Sequence, residues 1–285
     1  MDLRTALQQG SKLLEEAGIA PARLTAEVLL CHALGQEKPY LYAHPEEELS
    51  QLAWIHYGRY LHERMEGKPT QYITRRQEFY GRDFFVSSAV LIPRPETEHL
   101  VETALRLRPK AECAIDLGCG SGAIGISYHL ESGAQTHLSD LSAEALDVAR
   151  FNAMKLGANV TLHRADFATA LRARSVDLIL CNPPYVPRGD QAILQREVRD
   201  YEPELALYGG DSGVEPYRQV IEQALWALRP GGWLLFELGY QGLNAVQEML
   251  NPSAWESLEV VNDLAGWPRV LAVQRAGSAE GFAAK

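Results

Sequence analysis

The run Asn182-Pro183-Pro184-Tyr185 gathers groups suited to one task, holding a planar NH₂ group. Such a group needs two acceptors in its plane. The Asn182 side-chain oxygen and the Pro183 carbonyl can supply them, because a proline pair fixes the chain and frees its carbonyls from a ladder. Tyr185 can stack on a flat target. An amide nitrogen is a poor nucleophile, since its lone pair is delocalised into the carbonyl. Two acceptors pulling on its hydrogens localise density on nitrogen and aim it, so orientation and preorganised electrostatics would carry the chemistry. The run contains no strong general base, so proton loss is expected to follow bond formation.

A second cluster reads Asp116-Leu-Gly-Cys-Gly-Ser-Gly-Ala-Ile-Gly125. Gly118, Gly120 and Gly122 allow a tight turn and close approach of a ligand to the backbone. Asp140, about 20 residues beyond the loop, is placed to hold ribose hydroxyls. Gly120-x-Gly122-x-x-Gly125 formally matches a dinucleotide fingerprint, so a nicotinamide cofactor is one reading. A carboxylate at the strand end, Asp116, would face a bound ligand and suits a cation. S-adenosylmethionine carries a positive sulfonium and a positive ammonium and no pyrophosphate. The Asp-x-Gly-x-Gly-x-Gly pattern resembles the first motif of the class I methyltransferases. Asp166 could accept from an adenine amino group, and Phe167 could pack on its ring face.

Alternating strands and helices must position these loops. Strands are expected at 111–117, 135–139, 160–163, 176–181 and 233–238, and helices at 122–130, 143–156 and 214–228. The pattern describes a doubly wound, mostly parallel sheet, whose ligands sit beyond the carboxyl ends of its strands. Segments 258–261 and 270–274 predict an antiparallel edge at the C-terminus. Residues 1–75 read as a small bundle of three or four helices, with apolar positions at helical spacing over 3–17, 21–34 and 45–66. Residues 78–86 read as a β-hairpin around Gly81. The expected organisation is a helical domain over 1–75 that recognises the substrate, a hairpin linker over 76–92, a sheet domain over 93–275, and a loose tail over 276–285.

Of the 285 residues, 46% are hydrophobic and 22% charged, close to the globular average. The formal net charge of -10 gives no general attraction for a phosphate backbone. Cys31, Cys113, Cys119 and Cys181 lie far apart and form no Cys-x-x-Cys pair, so neither a disulfide framework nor a metal site is expected. The N-terminus lacks the apolar core of a signal peptide, and no apolar run is long enough to span a membrane. A monomeric cytoplasmic protein without a membrane or nucleic-acid partner is the resulting expectation.

Three further stretches narrow the reading. QYITRRQEFYGRDFFV (71–86), VLIPRPETEHLVE (90–102) and VRDYEPELALYGGDSGVEPYRQVI (198–221) resemble the release-factor glutamine methyltransferases, the HemK/PrmC family. The likeness runs from about residue 3 to Arg275. It implies a class I methyltransferase fold that is Rossmann-like, and N5-methylation of the glutamine in the Gly-Gly-Gln loop of class I peptide-chain release factors. S-adenosylmethionine would be consumed and S-adenosylhomocysteine released. By the resemblance, Asp116, Gly118, Cys119, Gly120, Ser121, Gly122, Asp140, Leu141, Asp166, Phe167 and Asn182 would contact the cofactor. Asn182, Pro183, Pro184 and Tyr185 would hold the glutamine. Cys119 stands where threonine is frequent, Phe167 where tryptophan is, and Thr74-Arg75-Arg76-Gln77 departs from a glycine-containing run. A methyltransferase of exocyclic amines in nucleic acid is the alternative, because the Asn-Pro-Pro-Tyr type of motif serves that chemistry too.

Overall fold

A computed structural model describes residues 1–277 and divides the chain into two compact units. The expected tail lies outside the described residues from 278 onward.

One unit comprises Met1–Arg76 together with Gln195–Tyr201. Helix α1 (Leu3–Glu16) starts where the Asp2 carboxylate accepts from the Thr5 N–H at 2.8 Å, satisfying one of the free donors of the first turn. Helix α2 (Ala22–Leu34) ends at Gly35, whose φ of 64° is the left-handed cap expected of glycine. A short α3 (Lys38–Ala43) follows. Helix α4 (Gln51–Met65) begins at the Ser50 cap, six residues later than the periodicity suggests. Residues 45–50 are not helical, and Glu48 bridges Asp2 instead. Helix α5 (Thr70–Thr74) closes the run. Leu3, Ala6, Leu7, Leu14, Leu29, Leu30, Tyr57 and Leu61 form the buried core. Gly10 lies against Tyr57: a Cβ there would come within 2.0 Å of the Tyr57 hydroxyl oxygen, so α1 must carry a glycine where it meets α4.

The other unit comprises Gln77–Leu194 and the chain from Glu202. Strands β1 (Arg76–Phe79) and β2 (Arg82–Phe85) form the hairpin. Tyr80 and Gly81 both have positive φ, as a two-residue turn of this twist requires. A 3₁₀ turn (Pro95–Thr97) leads into α6 (Glu98–Leu107). Next come β3 (Cys113–Leu117), α7 (Ala123–Ser132), β4 (Gln135–Asp140), α8 (Ala143–Leu156), β5 (Thr161–Arg164) and β6 (Val176–Cys181). After a 3₁₀ segment (Arg188–Ile193), α9 (Arg196–Tyr201) belongs to the helical unit: Arg64 donates to Glu197 at 2.5 Å and the Tyr201 hydroxyl to the Glu66 carbonyl at 3.2 Å. The chain then forms α10 (Glu204–Leu207), α11 (Glu215–Ala227), β7 (Leu228–Glu237), α12 (Leu243–Gln247), β8 (Trp255–Asn262) and β9 (Pro268–Arg275).

The seven-stranded sheet runs β5-β4-β3-β6-β7-β9-β8. The first five of these are mutually parallel, and β9 inserts antiparallel between β7 and β8. Strand β7 starts at Leu228 rather than near 233, because Arg229–Gly232 forms an irregularity between its pairing of Leu228 with Val176 and of Trp233 with Leu178. Pro230 is tolerated at such a break in the ladder. The chain enters the sheet at β3, builds outward through β4 and β5, and returns to β6 on the other side of β3. The strand order reverses between β3 and β6, where a doubly wound sheet opens its ligand crevice. Leu117 of β3 pairs with Cys181 of β6. The glycine loop and the Asn-Pro-Pro-Tyr run therefore leave the sheet side by side.

Candidate active site

A cavity of about 400 Å³ opens beyond these strand ends. Gly118, Cys119, Gly120 and Ser121 line it from the glycine loop, Asp140 and Leu141 from the end of β4, Asp166 and Phe167 from the segment after β5, and Asn182 and Pro184 from the segment after β6. Residues spread over 67 positions of sequence thus converge on one space.

The loop is held by its neighbours before any ligand arrives. The Ser139 carbonyl accepts from the Gly118 and Cys119 N–H groups at 2.8 and 3.0 Å. Asp140 accepts from the Gly120 N–H through one oxygen and from the Ser142 N–H through the other, each at 2.9 Å. Burial raises the Asp140 carboxyl above its ordinary value, and those backbone donors oppose the rise. The carboxylate retains lone pairs for a ligand's hydroxyls. Gly125 sits tight in α7: a Cβ there would meet Leu138 Cδ2 at 2.3 Å and Asp116 Cβ at 2.8 Å, so the helix packs close only because this residue is glycine.

Asp116 departs from the expectation that it faces a ligand. It does not line the cavity but lies fully buried beneath the loop, where one oxygen accepts from the Gly125 N–H at 2.9 Å. Its other oxygen is buried with no hydrogen-bond partner. Burial pushes its carboxyl up to about 7. Gly122, Pro183 and Tyr185 also stand outside the cavity lining. Gly122 precedes α7 in left-handed conformation, with φ of 80°.

Phe167 has φ of 50°, a conformation uncommon for a bulky side chain, and its ring edge lies over Gly118. The buried Ser139 hydroxyl holds it there, donating to the Phe167 carbonyl at 2.7 Å. Asp166 accepts from the Gln219 side chain at 2.8 Å, and Gln219 lines the same cavity.

The Asn-Pro-Pro-Tyr backbone is clasped by glycines. A Cβ at Gly209 would lie 2.4 Å from the Pro184 carbonyl oxygen, and one at Gly213 2.4 Å from that of Tyr185. Val186 and Gly209 reinforce the clasp through Val186 N–H to Leu207 and Gly209 N–H to Val186, at 2.9 and 3.0 Å. The Tyr185 ring packs on Gly239, and burial pushes its hydroxyl up to about 12, so it stays protonated. Asn182 turns its side-chain nitrogen toward Thr97 Oγ1 at 3.5 Å.

Several contributors carry no motif of their own. Asn152 in α8 binds both backbone groups of Phe85 and the Ser121 carbonyl at 2.7–2.9 Å, tying the hairpin to the glycine loop. Arg94 lines the cavity and pairs with the buried Glu202 at 2.6 Å. The glycine-rich stretch 208–213 and the segment 90–102 were the available sequence signals for Gly209, Gly213, Arg94 and Thr97. Ser139 and Asn152 had none, because their roles exist only once distant strands and helices meet.

Residues 5–74 match the family described as PrmC N-terminal domain, and residues 96–210 the family described as methyltransferase small domain. A release factor glutamine methyltransferase of Koribacter versatilis is 41% identical over 275 residues, covering 95% of this chain and 98% of the relative. The chain belongs to the release factor glutamine methyltransferases. Their namesake in Moorella thermoacetica is 41% identical over 281 residues, covering 96% of this chain and 99% of its own. Among solved structures, a methyltransferase from Pyrococcus furiosus superposes with a TM-score of 0.54 at 19% identity, covering 69% of this chain and 90% of its own. The hMettl16 catalytic domain, solved with a 3′UTR hairpin, gives 0.58 at 14% identity, covering 84% and 85%. At those identities the likeness is one of fold. Membership of the glutamine methyltransferases makes the chain a methyltransferase, and the nucleic-acid amine alternative is not favoured. Among the described residues no helix is long and apolar enough to cross a membrane, and no group of three or more His, Cys, Asp or Glu could hold a metal ion.

Proposed function

We propose that the cavity binds S-adenosylmethionine and the side chain of the Gly-Gly-Gln glutamine of class I release factors, and that the methyl group passes to the glutamine N5. The observation that carries this reading is the pairing of Leu117 with Cys181, which sets the glycine loop and Asn182 on adjacent strand ends over one cavity. The residues suit the cofactor. The loop brings backbone close to the ligand, Asp140 offers acceptors for ribose hydroxyls, and Phe167 offers an aromatic face. Asp116 is buried beneath the loop with one oxygen unpartnered and its carboxyl raised by burial, so a cationic ligand nearby would favour its ionised form and be favoured by it in turn.

The cofactor supplies an electrophilic methyl group on a positive sulfur. The protein's part is to deliver the nitrogen. The Asn182 side-chain oxygen and the Pro183 carbonyl accept the two amide hydrogens, which draws electron density onto the nitrogen and orients it. Clasped by Gly209 and Gly213, the Asn-Pro-Pro-Tyr backbone cannot relax away from that geometry. The sulfur would keep the C–S pair as the N–C bond formed, and the methylated nitrogen would then lose one of its protons to water. The enzyme works in the cytoplasm as a monomer, with residues 1–75 recognising the release factor and 93–275 carrying the transfer.

The test is transfer of labelled methyl from S-adenosylmethionine to purified release factor, with DNA and tRNA as controls. Label in the release factor alone supports the reading. Label in nucleic acid and none in release factor refutes it.

A further inference from the structure

The proposed chemistry needs the oxygen end of the Asn182 amide, not its nitrogen end, to meet the substrate. The two ends are nearly equal in size, so packing alone does not choose between them. Two residues beside Asn182 make the choice. Thr97 ends the 3₁₀ turn before α6, lines the cavity and is 3% exposed; Glu237 ends β7 and is 2% exposed. They lie 140 residues apart in sequence, yet the Thr97 hydroxyl donates to Glu237 Oε2 at 2.5 Å. With Glu237 ionised the hydroxyl is the donor, and the distance is that of a short, charge-assisted bond. A hydroxyl has one proton. With it committed to Glu237, Thr97 can present only lone pairs to Asn182, and the end of Asn182 that faces it is the NH₂ group, at 3.5 Å.

We propose that Thr97 and Glu237 are positioning residues that fix the orientation of the Asn182 amide, turning its oxygen toward the substrate nitrogen. The inference rests on Asn182 being the acceptor described above. The ladder supports it: Phe236 pairs with Cys181, so Glu237 and Asn182 leave neighbouring parallel strands at the same level. The alternative is that Thr97 merely fastens α6 to β7.

Thr97→Val keeps the volume and removes the hydroxyl, and Thr97→Ser returns it. With release factor as substrate, Thr97→Val is expected to lower kcat about 10- to 100-fold, the scale of a misplaced reacting group. KM for release factor and cofactor affinity should change far less than kcat, because most of the binding energy of both comes from contacts remote from the Asn182 amide. Thr97→Ser should recover most of the loss. In an Asn182→Ala background, Thr97→Val should cost nothing further, since nothing is left to orient. A folded Thr97→Val enzyme with wild-type kcat, or a loss that adds in full to that of Asn182→Ala, overturns the proposal. A second readout needs no turnover and so separates this inference from the functional reading. The Asn182 side-chain NH₂ resonances, identified by their loss in Asn182→Ala, should be protected from solvent exchange in wild type and Thr97→Ser and lose that protection in Thr97→Val. Equal exchange in wild type and Thr97→Val overturns the orientation whatever the enzyme methylates.

Discussion

Asn182 and Asp140 line one cavity, and the proposed function gives them separable tasks. Asn182→Ala removes a preorganised acceptor, and such groups typically cost about 10²–10³-fold in turnover when deleted. Cofactor affinity, measured by calorimetry, should change far less than kcat. Asp140→Ala should do the reverse, weakening S-adenosylmethionine binding by about 1.5–3 kcal/mol if a charged hydrogen bond is lost. Part of that loss would come from the loop, because Asp140 also holds the Gly120 and Ser142 N–H groups. Two buried carboxyls set a pH dependence. Burial raises both Asp116 and Glu237 to about 7. The Glu237 carboxylate feels Arg269 and Arg94, which oppose the rise, and Glu96, which adds to it. In the unfolded chain both groups titrate near ~4, so between about 4 and 7 the folded protein binds more protons. Their contribution to stability is present in full below about pH 4 and is lost as pH rises through 7. Urea unfolding at about pH 5 and about pH 8 should show that fall, and Asp116→Asn should make it shallower. An unchanged slope in Asp116→Asn would refute the assignment.

Strands and helices whose own residues carried a complete signal were legible in the sequence. Strand β6 is a buried run bounded by Ser175 and the Asn-Pro pair, and α8 starts at a serine cap and stops at Gly157, so both match the expected limits of 176–181 and 143–156. Strand β7 starts five residues before its expected limit, because Pro230-Gly231-Gly232 reads as a helix stop rather than as a break in pairing. The short α3 escaped because six residues hold too few turns to show a period. The site divides the same way. Glycine and Asn-Pro-Pro-Tyr motifs announce themselves locally, whereas Ser139, Asn152, Thr97 and Glu237 act only through partners brought by the fold. Asp116 was recognised by position but not by direction, since the N–H of Gly125 claims its carboxylate. That arrangement yields a prediction for α7. Gly125→Ala would drive a methyl into Leu138 and Asp116, and overpacking of this kind costs about 1–3 kcal/mol. A lowered Tm with weakened cofactor binding is expected; an unchanged Tm would mean that α7 is less tightly seated than these distances imply.

For the chain as a whole, the helical unit carries none of the chemical motifs, yet it includes Gln195–Tyr201 from between the Asn-Pro-Pro-Tyr run and α10. Glu197 and Tyr201 are bound to Arg64 and the Glu66 carbonyl. Removing residues 1–75 would therefore strip that segment of its partners as well as removing the proposed recognition surface. A glutamine side chain offers few contacts, so selection of one glutamine requires binding energy from remote parts of the substrate. Substitutions on the exposed faces of α1, α2 and α4 in the intact enzyme should lower kcat/KM for release factor and leave activity on a short Gly-Gly-Gln peptide unchanged. Equal effects on both would refute the recognition role. Release factor incubated with S-adenosylmethionine and enzyme, then digested and fragmented in a mass spectrometer, locates the added methyl. A single methyl is expected on the side-chain nitrogen of the Gly-Gly-Gln glutamine, present with wild type and nearly absent with Asn182→Ala. A methyl on any other residue, or an Asn182→Ala enzyme that modifies the glutamine at the wild-type rate, would contradict it.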